Sequence, residues 1–371
     1  MADITAQRAA EIARWPLRLA YNRVWRVYRG GYLLDAMRGT DSPADTHFPE
    51  DWATSDTRAL NEGREDVVEG LSEATLPDGE RFVLRDLLAA APEAYLGAAH
   101  VRAFGAKLAL LVKLLDSAER LQLQVHPSRE YSRRYLNDRF GKTESWIVLA
   151  TRRIAGQDPY ILMGFRERVD QATMKDLVAR QDVAGMEQAL NKLAVAPGDM
   201  YIIRAGMPHA IGPGVFMVEV QEPTDWVVSA ERQIGEVLLS EQAAFMGVGI
   251  DLALAAFDFD GPVGADAVAS AALKRGTGSI GAEKVLVGPE DTDCFSAKEL
   301  TIVGEMADPY RGRAYSGIVV EGSGEITLER GSVRLARGDT FFVPAAARHL
   351  CYRADGGMRV IASFPPMAPG V

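Results

Sequence analysis

The amino-acid sequence predicts a mainly β protein made of two similar small barrels in tandem, with a helical element packed on the first barrel. Two observations support this prediction. Short segments rich in β-branched and aromatic residues recur along the chain, separated by Gly, Pro and Asp, and such segments are typical of strands in a sandwich or barrel. In addition, one twelve-residue pattern occurs twice, which favours duplication of a small barrel.

Two stretches of the chain have the residue spacing of helices. Residues 5–28 carry apolar side chains three and four positions apart among arginines, which predicts an amphipathic helix. A second helical region is predicted over residues 167–194, where Asp170 is suited to cap the N-terminus and Pro197 follows the end. These two stretches make up the helical element of the prediction.

The predicted strands are short and are bounded by turn residues. Their side chains are mostly β-branched or aromatic, which are the types that fit a pleated and partly buried surface. The segments are WIVLA, YILMGF, MYIIRA, VFMVEVQ, GIVVEG, GEITLE, SVRLA and TFFVPA.

The repeated pattern consists of a glycine that opens a strand and a histidine eleven positions later. Gly198 and His209 belong to the first copy, and Gly338 and His349 belong to the second. We interpret each copy as a turn glycine, a buried strand, a tight corner and a histidine whose ring points inward from the next strand. Two such copies in strand-rich surroundings predict two related barrels.

The composition favours a soluble cytoplasmic protein. The 371 residues include 41 Lys and Arg against 51 Asp and Glu, a net charge of −10, which argues against a nucleic-acid partner because such binding begins by neutralising phosphates. The two cysteines, Cys294 and Cys351, exclude a disulfide scaffold or thiolate-rich zinc site and suit a reducing compartment. The apolar stretches are shorter than the roughly 18 residues of a membrane span, so no membrane partner is expected.

Three segments contain residue types that ligate metal ions. Gln124 and His126 lie two positions apart on a predicted strand, so their side chains point to the same face. Glu144 leads into the strand WIVLA, and His209 lies at the repeated corner. A single histidine on a strand is more often a packed or surface residue, so the prediction depends on the conjunction. Two imidazoles, a carboxylate and an amide oxygen suit Zn2+, with Mn2+, Co2+ or Fe2+ as alternatives.

Several motifs resemble those of the type I phosphomannose isomerases. They are QVHP at 124–127, GKTE at 141–144, RAGMPHAIG at 204–212 and FPEDWATS at 48–55. The resemblance implies tandem cupin (jelly-roll) barrels and one bound Zn2+. It also places Lys142 and Glu219 beside the metal, where they would carry or orient protons. The metal ligands that it implies are Gln124, His126, Glu144 and His209.

The resemblance also implies a division of the chain into domains. Residues 1–257 would form an N-terminal metal-binding cupin domain, and residues 284–371 a C-terminal cupin domain without metal. The segment 258–283, rich in Ala, Gly and Asp, is predicted to be linker-like. The second domain has His349 but no Gln-x-His strand, so His349 is expected to be a relic of duplication and not a ligand.

Two positions depart from the family pattern in the region that recognises the substrate. Gln122 stands where the family usually has a serine associated with phosphate, and Ser229 stands where the family has an arginine four residues after Asp225. Arg232 is the nearest arginine, and we predict that it acts at the catalytic site instead. The arginines within 129–139 are alternative cations, although a solvated face is the simpler interpretation of that cluster.

The resemblance implies a metal-dependent aldose–ketose isomerase that interconverts mannose 6-phosphate and fructose 6-phosphate or a closely related sugar phosphate. Two alternatives stay open at this point. One is an isomerase of an unphosphorylated sugar such as mannose, and the other is a sugar-binding cupin without catalytic activity. The expected partner is therefore a small sugar or sugar phosphate, and the protein is expected to be a monomer or a homodimer.

Overall fold

Antiparallel β-sheets make up most of the regular structure in a computed structural model of the protein, which describes residues 4–76, 78–273, 282–329 and 331–368. Within these residues the strands form sheets of nine, six, five and two strands. The prediction of a mainly β protein is therefore confirmed, whereas closure of the sheets into tandem barrels remains a prediction.

The strands are numbered in chain order. They are β1 (Leu17–Leu19), β2 (Arg23–Val24), β3 (Glu50–Thr54), β4 (Glu73–Thr75), β5 (Arg81–Val83), β6 (Leu111–Asp116), β7 (Gln124–Val125), β8 (Glu144–Thr151), β9 (Tyr160–Phe165), β10 (Leu190–Ala194), β11 (Met200–Ile203), β12 (His209–Ile211), β13 (Val215–Gln221), β14 (Val228–Ser229), β15 (Gln233–Ile234), β16 (Val237–Leu238), β17 (Glu283–Val287), β18 (Ser296–Ala307), β19 (Tyr315–Leu328), β20 (Gly331–Ala336), β21 (Thr340–Val343) and β22 (Cys351–Phe364).

The helices are short. They are α1 (Ala6–Ile12), α2 (Tyr32–Met37), α3 (Leu84–Ala90), α4 (Pro92–Leu96), α5 (Ala98–Phe104), α6 (Arg129–Tyr131), α7 (Gln171–Arg180), α8 (Val183–Gln188), α9 (Glu241–Ala244), α10 (Ile250–Leu254) and α11 (Gly264–Ala271), and a π-helical turn spans Ser132–Leu136. In the part of the chain that is described, no helix has the length and apolar character needed to cross a membrane.

The helix predicted over residues 5–28 is wrong beyond its first two turns. Helix α1 ends at Ile12 and is followed by strands β1 and β2. Pro16 explains the break, because proline lacks a backbone N–H and disfavours helical geometry in the residue before it. Leu17 and Leu19 are buried on either side of an exposed residue, which is the alternation of a strand.

The second predicted helical region, 167–194, contains two helices and a strand. Asp170 caps α7 as predicted, since its carboxylate accepts a hydrogen bond of 2.8 Å from the backbone N–H of Thr173. Gln181 ends that helix in a left-handed conformation, and α8 follows. The prediction is wrong for the last residues, because Leu190–Ala194 pair with β9 as strand β10.

Two sheets surround the site described below. The six-stranded sheet has the order β11-β8-β13-β6-β3-β2, and the five-stranded sheet has the order β10-β9-β12-β7-β14. Apolar side chains from both sheets share one buried core, to which Val125, Trp146, Met163, Ile211 and Met217 contribute. Burial of each such side chain stabilises the fold by roughly 1.5–3 kcal/mol, so the facing strands hold their polar side chains in fixed positions.

The nine-stranded sheet joins the two ends of the chain. Its order is β17-β18-β22-β19-β21-β1-β4-β5, with β20 paired to β19. Leu19 of β1 pairs with Thr340 of β21, and Arg18 forms an ion pair of 2.6 Å with Asp339. Strands from the first hundred residues therefore extend the sheet of the C-terminal part.

The segment predicted to be linker-like, 258–283, includes helix α11. Its residues 274–281 lie outside the described part of the chain. The division into domains at this segment stays a prediction.

Candidate metal centre

Three metal-ligating side chains meet where the five- and six-stranded sheets face each other. Glu144 is the first residue of β8, His126 directly follows β7, and His209 is the first residue of β12. Their ligand atoms all lie within 4.8 Å of one another, and all three residues are buried. These residues are far apart in the sequence, and strand pairing brings them together, because His209 lies opposite Gln124 on the neighbouring strand.

Hydrogen bonds to backbone carbonyls set the tautomer of both imidazoles. His126 Nδ1 lies 3.0 Å from the carbonyl oxygen of Trp226, and His209 Nδ1 lies 2.9 Å from that of Met207. A carbonyl can only accept, so each Nδ1 carries the proton and donates it. Each Nε2 therefore presents a lone pair, which is the arrangement that orients histidine ligands in metal sites.

Both Nε2 atoms face the carboxylate of Glu144. His126 Nε2 lies 3.2 Å from Glu144 Oε2, and His209 Nε2 lies 3.5 Å from Oε1. Oε1 accepts a hydrogen bond of 3.0 Å from Trp146 Nε1, whereas the buried Oε2 has no hydrogen-bond partner among the described residues. The Lys142 ammonium lies against two of these atoms, and the set of two imidazole nitrogens and one carboxylate directed at one another fits a metal ion.

Electrostatics favours the ligating protonation states. Burial, reinforced by the Lys142 ammonium, lowers the pKa of His126 to about 3. Burial also lowers the pKa of His209. Burial opposes ionisation of Glu144, but nearby positive charge, including that of the Lys142 ammonium, outweighs it and holds the pKa of that carboxyl well below its usual range. Neutral imidazoles and an ionised carboxylate are the forms that bind metals.

Gln124 completes the set of four residues predicted as ligands. Its amide Nε2 lies 3.2 Å from His209 Nε2. The two ends of an amide exchange by rotation of the group, and their assignment depends on the surroundings, so the amide oxygen can reach the same ion. The structure thus brings together all four residues that the sequence motifs pointed to.

A cavity adjoins these residues, and two predicted catalytic residues line it. Lys142 Nζ lies 3.0 Å from His126 Nε2 and 3.5 Å from Glu144 Oε2. Glu219 lies on β13, next to β8, and is 3% exposed. Both line the same cavity as Gln124.

Lys113 was missed by the sequence analysis. It lies opposite Glu219 on the neighbouring strand β6, and its Nζ is 2.9 Å from Glu219 Oε1 and 3.5 Å from Glu50 Oε2. Burial opposes the charged form of Lys113, but the two carboxylates outweigh it and raise its pKa. Burial raises the pKa of Glu219, and the negative charge of Glu144 raises it further. A lone lysine inside the apolar run LALLVKLL was the available signal, because an unpaired lysine is rarely buried.

Glu50 is held by four donors on the same side of the cavity. Tyr28 Oη donates to Oε1 and Trp52 Nε1 donates to Oε2, each at 2.7 Å. Arg26 Nε lies 3.1 Å from Oε2, and Lys113 is the fourth donor. Burial opposes ionisation here as well, but the charges of Arg26 and Lys113 outweigh it and hold the pKa of Glu50 far below its usual range.

Arg26 contributes a guanidinium to the wall of this cavity, and it was not among the residues predicted from the sequence. Its terminal nitrogens form a two-pronged ion pair with Asp225, with distances of 2.9 and 3.1 Å. Asp225 also accepts a hydrogen bond of 2.8 Å from the backbone N–H of Leu60. No motif marks Arg26, since only the pairing of β2 with β3 brings it beside Glu50.

The structure does not bring Arg232 to this cavity, contrary to the prediction. Its Nε donates to the carbonyl of Leu239 at 3.1 Å, and its Nη1 pairs with Glu241 at the same distance. Position in the sequence was a poor guide because Arg232 directly precedes the hairpin β15–β16 and its side chain binds residues that follow that hairpin.

Two arginines of the segment 129–139 are also engaged elsewhere. Arg129 pairs with Glu222 and Asp293. Arg139 donates to backbone carbonyls at the end of α5 and lies over Phe104. Neither lines the cavity.

His349 is exposed, although the repeat predicts a ring that points inward. The two copies share the left-handed turn glycine, with φ of 94° at Gly198 and 88° at Gly338, but His349 itself has φ of 58°. The correspondence between the copies therefore ends at the corner.

We expect His349→Ala to leave the bound Zn2+ at about one ion per chain, since the side chain lies in solvent and apart from the three clustered ligands. Elemental analysis of the purified variant checks this. A variant that loses most of its metal would place the ion in the other half of the molecule.

A scan of protein-family models gives no match to the chain. Among curated proteins, a mannose-6-phosphate isomerase of Bacillus subtilis is 31% identical over 121 residues, which cover 33% of this chain and 36% of that protein. A mannose-6-phosphate isomerase of Streptococcus mutans is 28% identical over 209 residues, which cover 55% of this chain and 56% of that protein. The matched stretches thus span between about a third and just over half of these relatives.

Solved structures match over nearly the whole chain. The mannose 6-phosphate isomerase of Bacillus subtilis has a TM-score of 0.71 and 22% identity, and the match covers 94% of this chain and 99% of that one. A variant of phosphomannose isomerase from Salmonella typhimurium has the same TM-score and 17% identity, with 95% and 99% covered. These likenesses show the fold. Together with the sequence relatives they confirm the resemblance of this chain to the type I phosphomannose isomerases that its motifs indicate.

Proposed function

We propose that the protein is a metal-dependent aldose–ketose isomerase. The observation that supports this most strongly is the buried cluster of His126, Glu144 and His209. Lys142, which contacts His126, lines the adjoining cavity together with Gln124 and Glu219. Isomerisation moves a proton between C2 and C1 of a sugar while negative charge develops on the neighbouring oxygen. Such a reaction needs an electrophile beside a proton carrier.

The donor set suits Zn2+, with Mn2+, Co2+ and Fe2+ as alternatives. Two imidazole nitrogens, one carboxylate and the Gln124 amide would hold the ion and leave further positions for substrate oxygens. Bound there, the metal would polarise the carbonyl and hydroxyl oxygens of the sugar. The protein's own contribution is to hold both imidazoles in one tautomer and to keep Glu144 ionised.

Glu219 is our assignment for the proton carrier. Its carboxyl is buried and its pKa is raised above the usual range of a carboxyl, which makes its carboxylate a stronger base toward a substrate proton. Lys113 donates to one of its oxygens at 2.9 Å and thereby orients it. Lys142 lies on the metal side of the cavity, where its ammonium can donate to an oxygen of the substrate.

Two further features belong to the proposal. The facing five- and six-stranded sheets would be the N-terminal metal-binding cupin barrel, with a second cupin barrel without metal in residues 284–371; the near-complete match to solved phosphomannose isomerases supports this. A cytoplasmic location and a monomeric or homodimeric state stay expectations from composition and family.

The relatives' names make mannose 6-phosphate and fructose 6-phosphate the first substrate pair to test, with mannose and fructose as the second. Protein stripped by a chelator and then reloaded with Zn2+, Mn2+ or Co2+ should isomerise at least one pair, and the stripped protein should not. Turnover can be followed by coupled assays or by NMR. Reloaded protein that binds one metal per chain but turns over neither pair would overturn the proposal in favour of a sugar-binding protein.

A further inference from the structure

The charged side chains that line the cavity include more carboxylates than cations. The cations are Arg26, Lys113 and Lys142, and the carboxylates are Glu50, Glu62, Glu219 and Asp225. A phosphate dianion would therefore enter a cavity whose own side chains carry no surplus of positive charge.

Each nitrogen of the Arg26 guanidinium already has a partner. Both terminal nitrogens bind Asp225, and its Nε lies 3.1 Å from Glu50. Its Nη1 also donates to Asn61. A guanidinium holds phosphate most strongly through a two-pronged contact, and in this protein Asp225 takes that contact.

The two lysines are engaged in the same way. Lys113 Nζ lies between Glu219 and Glu50, at 2.9 and 3.5 Å. Lys142 Nζ lies against Glu144 and His126, so its charge is directed at the ligand cluster. Each ammonium therefore already has a carboxylate beside it.

A neutral pair, Gln122 and Ser229, forms another part of the wall. Gln122 Nε2 donates to Ser229 Oγ at 3.3 Å. Gln122 Oε1 is buried and has no hydrogen-bond partner among the described residues. A buried acceptor of this kind is costly until a donor reaches it. A sugar hydroxyl can donate or accept and so can pair with either end of this amide, whereas neither Gln122 nor Ser229 brings a positive charge for a phosphate.

Cations beyond the cavity do not change this balance. Arg232 is bound to Leu239 and Glu241. Arg58 lines the neighbouring groove, which shares Leu60 and Asp225 with the cavity, but Glu62 and Glu65 line that groove too. Arg58 also donates to the backbone carbonyls of Glu65 and Val67.

We propose that the site takes an uncharged monosaccharide and discriminates against its phosphate ester. This inference rests on the proposed isomerase function for the position of the reacting end at the metal. The hydroxyls at the other end would donate to the carboxylate of Asp225 and to Gln122 Oε1. Asp225 contributes to this specificity because it neutralises the guanidinium that would otherwise attract a phosphate, and Ser229 supplies no second arginine four residues later.

Equilibrium binding tests this inference separately from turnover. Calorimetric titration of the metal-loaded protein with D-mannose and with D-mannose 6-phosphate should give an affinity at least about 10-fold higher for mannose, the effect of one lost charge-assisted hydrogen bond. Equal or tighter binding of the phosphate ester would overturn the inference, as would failure to bind mannose. Failure of the proposed function is a different result, namely binding of a sugar with no turnover.

An isosteric variant and two controls sharpen the test. Asp225→Asn keeps the shape of the side chain but frees the charge of Arg26, so it should shift the ratio of affinities toward the phosphate ester by about 10-fold. Arg232→Ala should leave both affinities unchanged, since that residue lies outside the cavity. Arg58→Ala should do the same. Selective loss of phosphate binding in that variant would place a phosphate in the neighbouring groove and would overturn the inference.

Discussion

Replacement of His126 or of His209 by glutamine is expected to lower the affinity for Zn2+ by more than about 100-fold, since loss of a residue that merely orients a ligand already costs roughly 10–100-fold. Both side chains are almost fully buried, and each supplies one Nε2 lone pair that faces Glu144. Glutamine keeps a polar group in the space but removes the imidazole nitrogen. Competition with a chelator of known affinity, followed by elemental analysis, measures the change.

The matched control for this experiment is His349→Gln, the same substitution at the exposed histidine of the second copy of the repeat. It should bind metal as the wild type does. Circular dichroism of all three variants separates loss of the site from loss of the fold. If both buried variants retain tight binding of one ion, the ligands have been assigned to the wrong residues.

The candidate ligands could be predicted because short motifs contain them. Gln124 and His126 lie on one face of a strand by parity alone, and His209 lies at a corner marked by glycine and proline. To predict that they lie near Glu144, it was enough to assume that the strands belong to one barrel-like unit. Local sequence is informative here because each ligand is positioned by its own strand end.

The other side of the cavity could not be predicted, because it depends on long-range strand pairing. Lys113 meets Glu219 only through the register of β6 against β13, and Arg26 meets Asp225 although the two lie 199 residues apart in the chain. A shift of one residue in register would turn Lys113 to the opposite face. Arg232 shows the converse error, since proximity in sequence suggested a role that the direction of its side chain does not support.

The N-terminal helix shows how two local signals can conflict. The apolar spacing within 5–28 fits a helix, but Pro16 ends it, and Leu17 and Leu19 alternate with an exposed residue as in a strand. The deciding contact is again distant, because β1 completes its hydrogen bonds with β21 near the other end of the chain. Tertiary pairing therefore overrides the helical spacing of the apolar residues.

Lys113→Met is expected to destabilise the protein by about 3–5 kcal/mol, the cost of leaving a buried charge without its partner. The side chain is 2% exposed and neutralises both Glu50 and Glu219. The variant should also lose isomerase activity by about 100-fold or more, since the proton carrier would no longer be oriented. Urea denaturation and steady-state kinetics on the metal-loaded protein measure the two effects.

A second substitution separates the electrostatic cause from simple loss of packing. Adding Glu219→Gln to Lys113→Met removes one of the two uncompensated carboxylates, so it should restore about 2 kcal/mol of the lost stability while activity stays low. Lys175→Met provides the control, because Lys175 pairs with Asp251 at the surface and such pairs contribute about 0–1 kcal/mol. A cost below about 1 kcal/mol for Lys113→Met, as for a surface pair, would contradict the assignment, because it would mean that water already compensates the two carboxylates. In the double variant, stability should recover while activity does not. This is the result expected if the buried lysine both neutralises and orients Glu219.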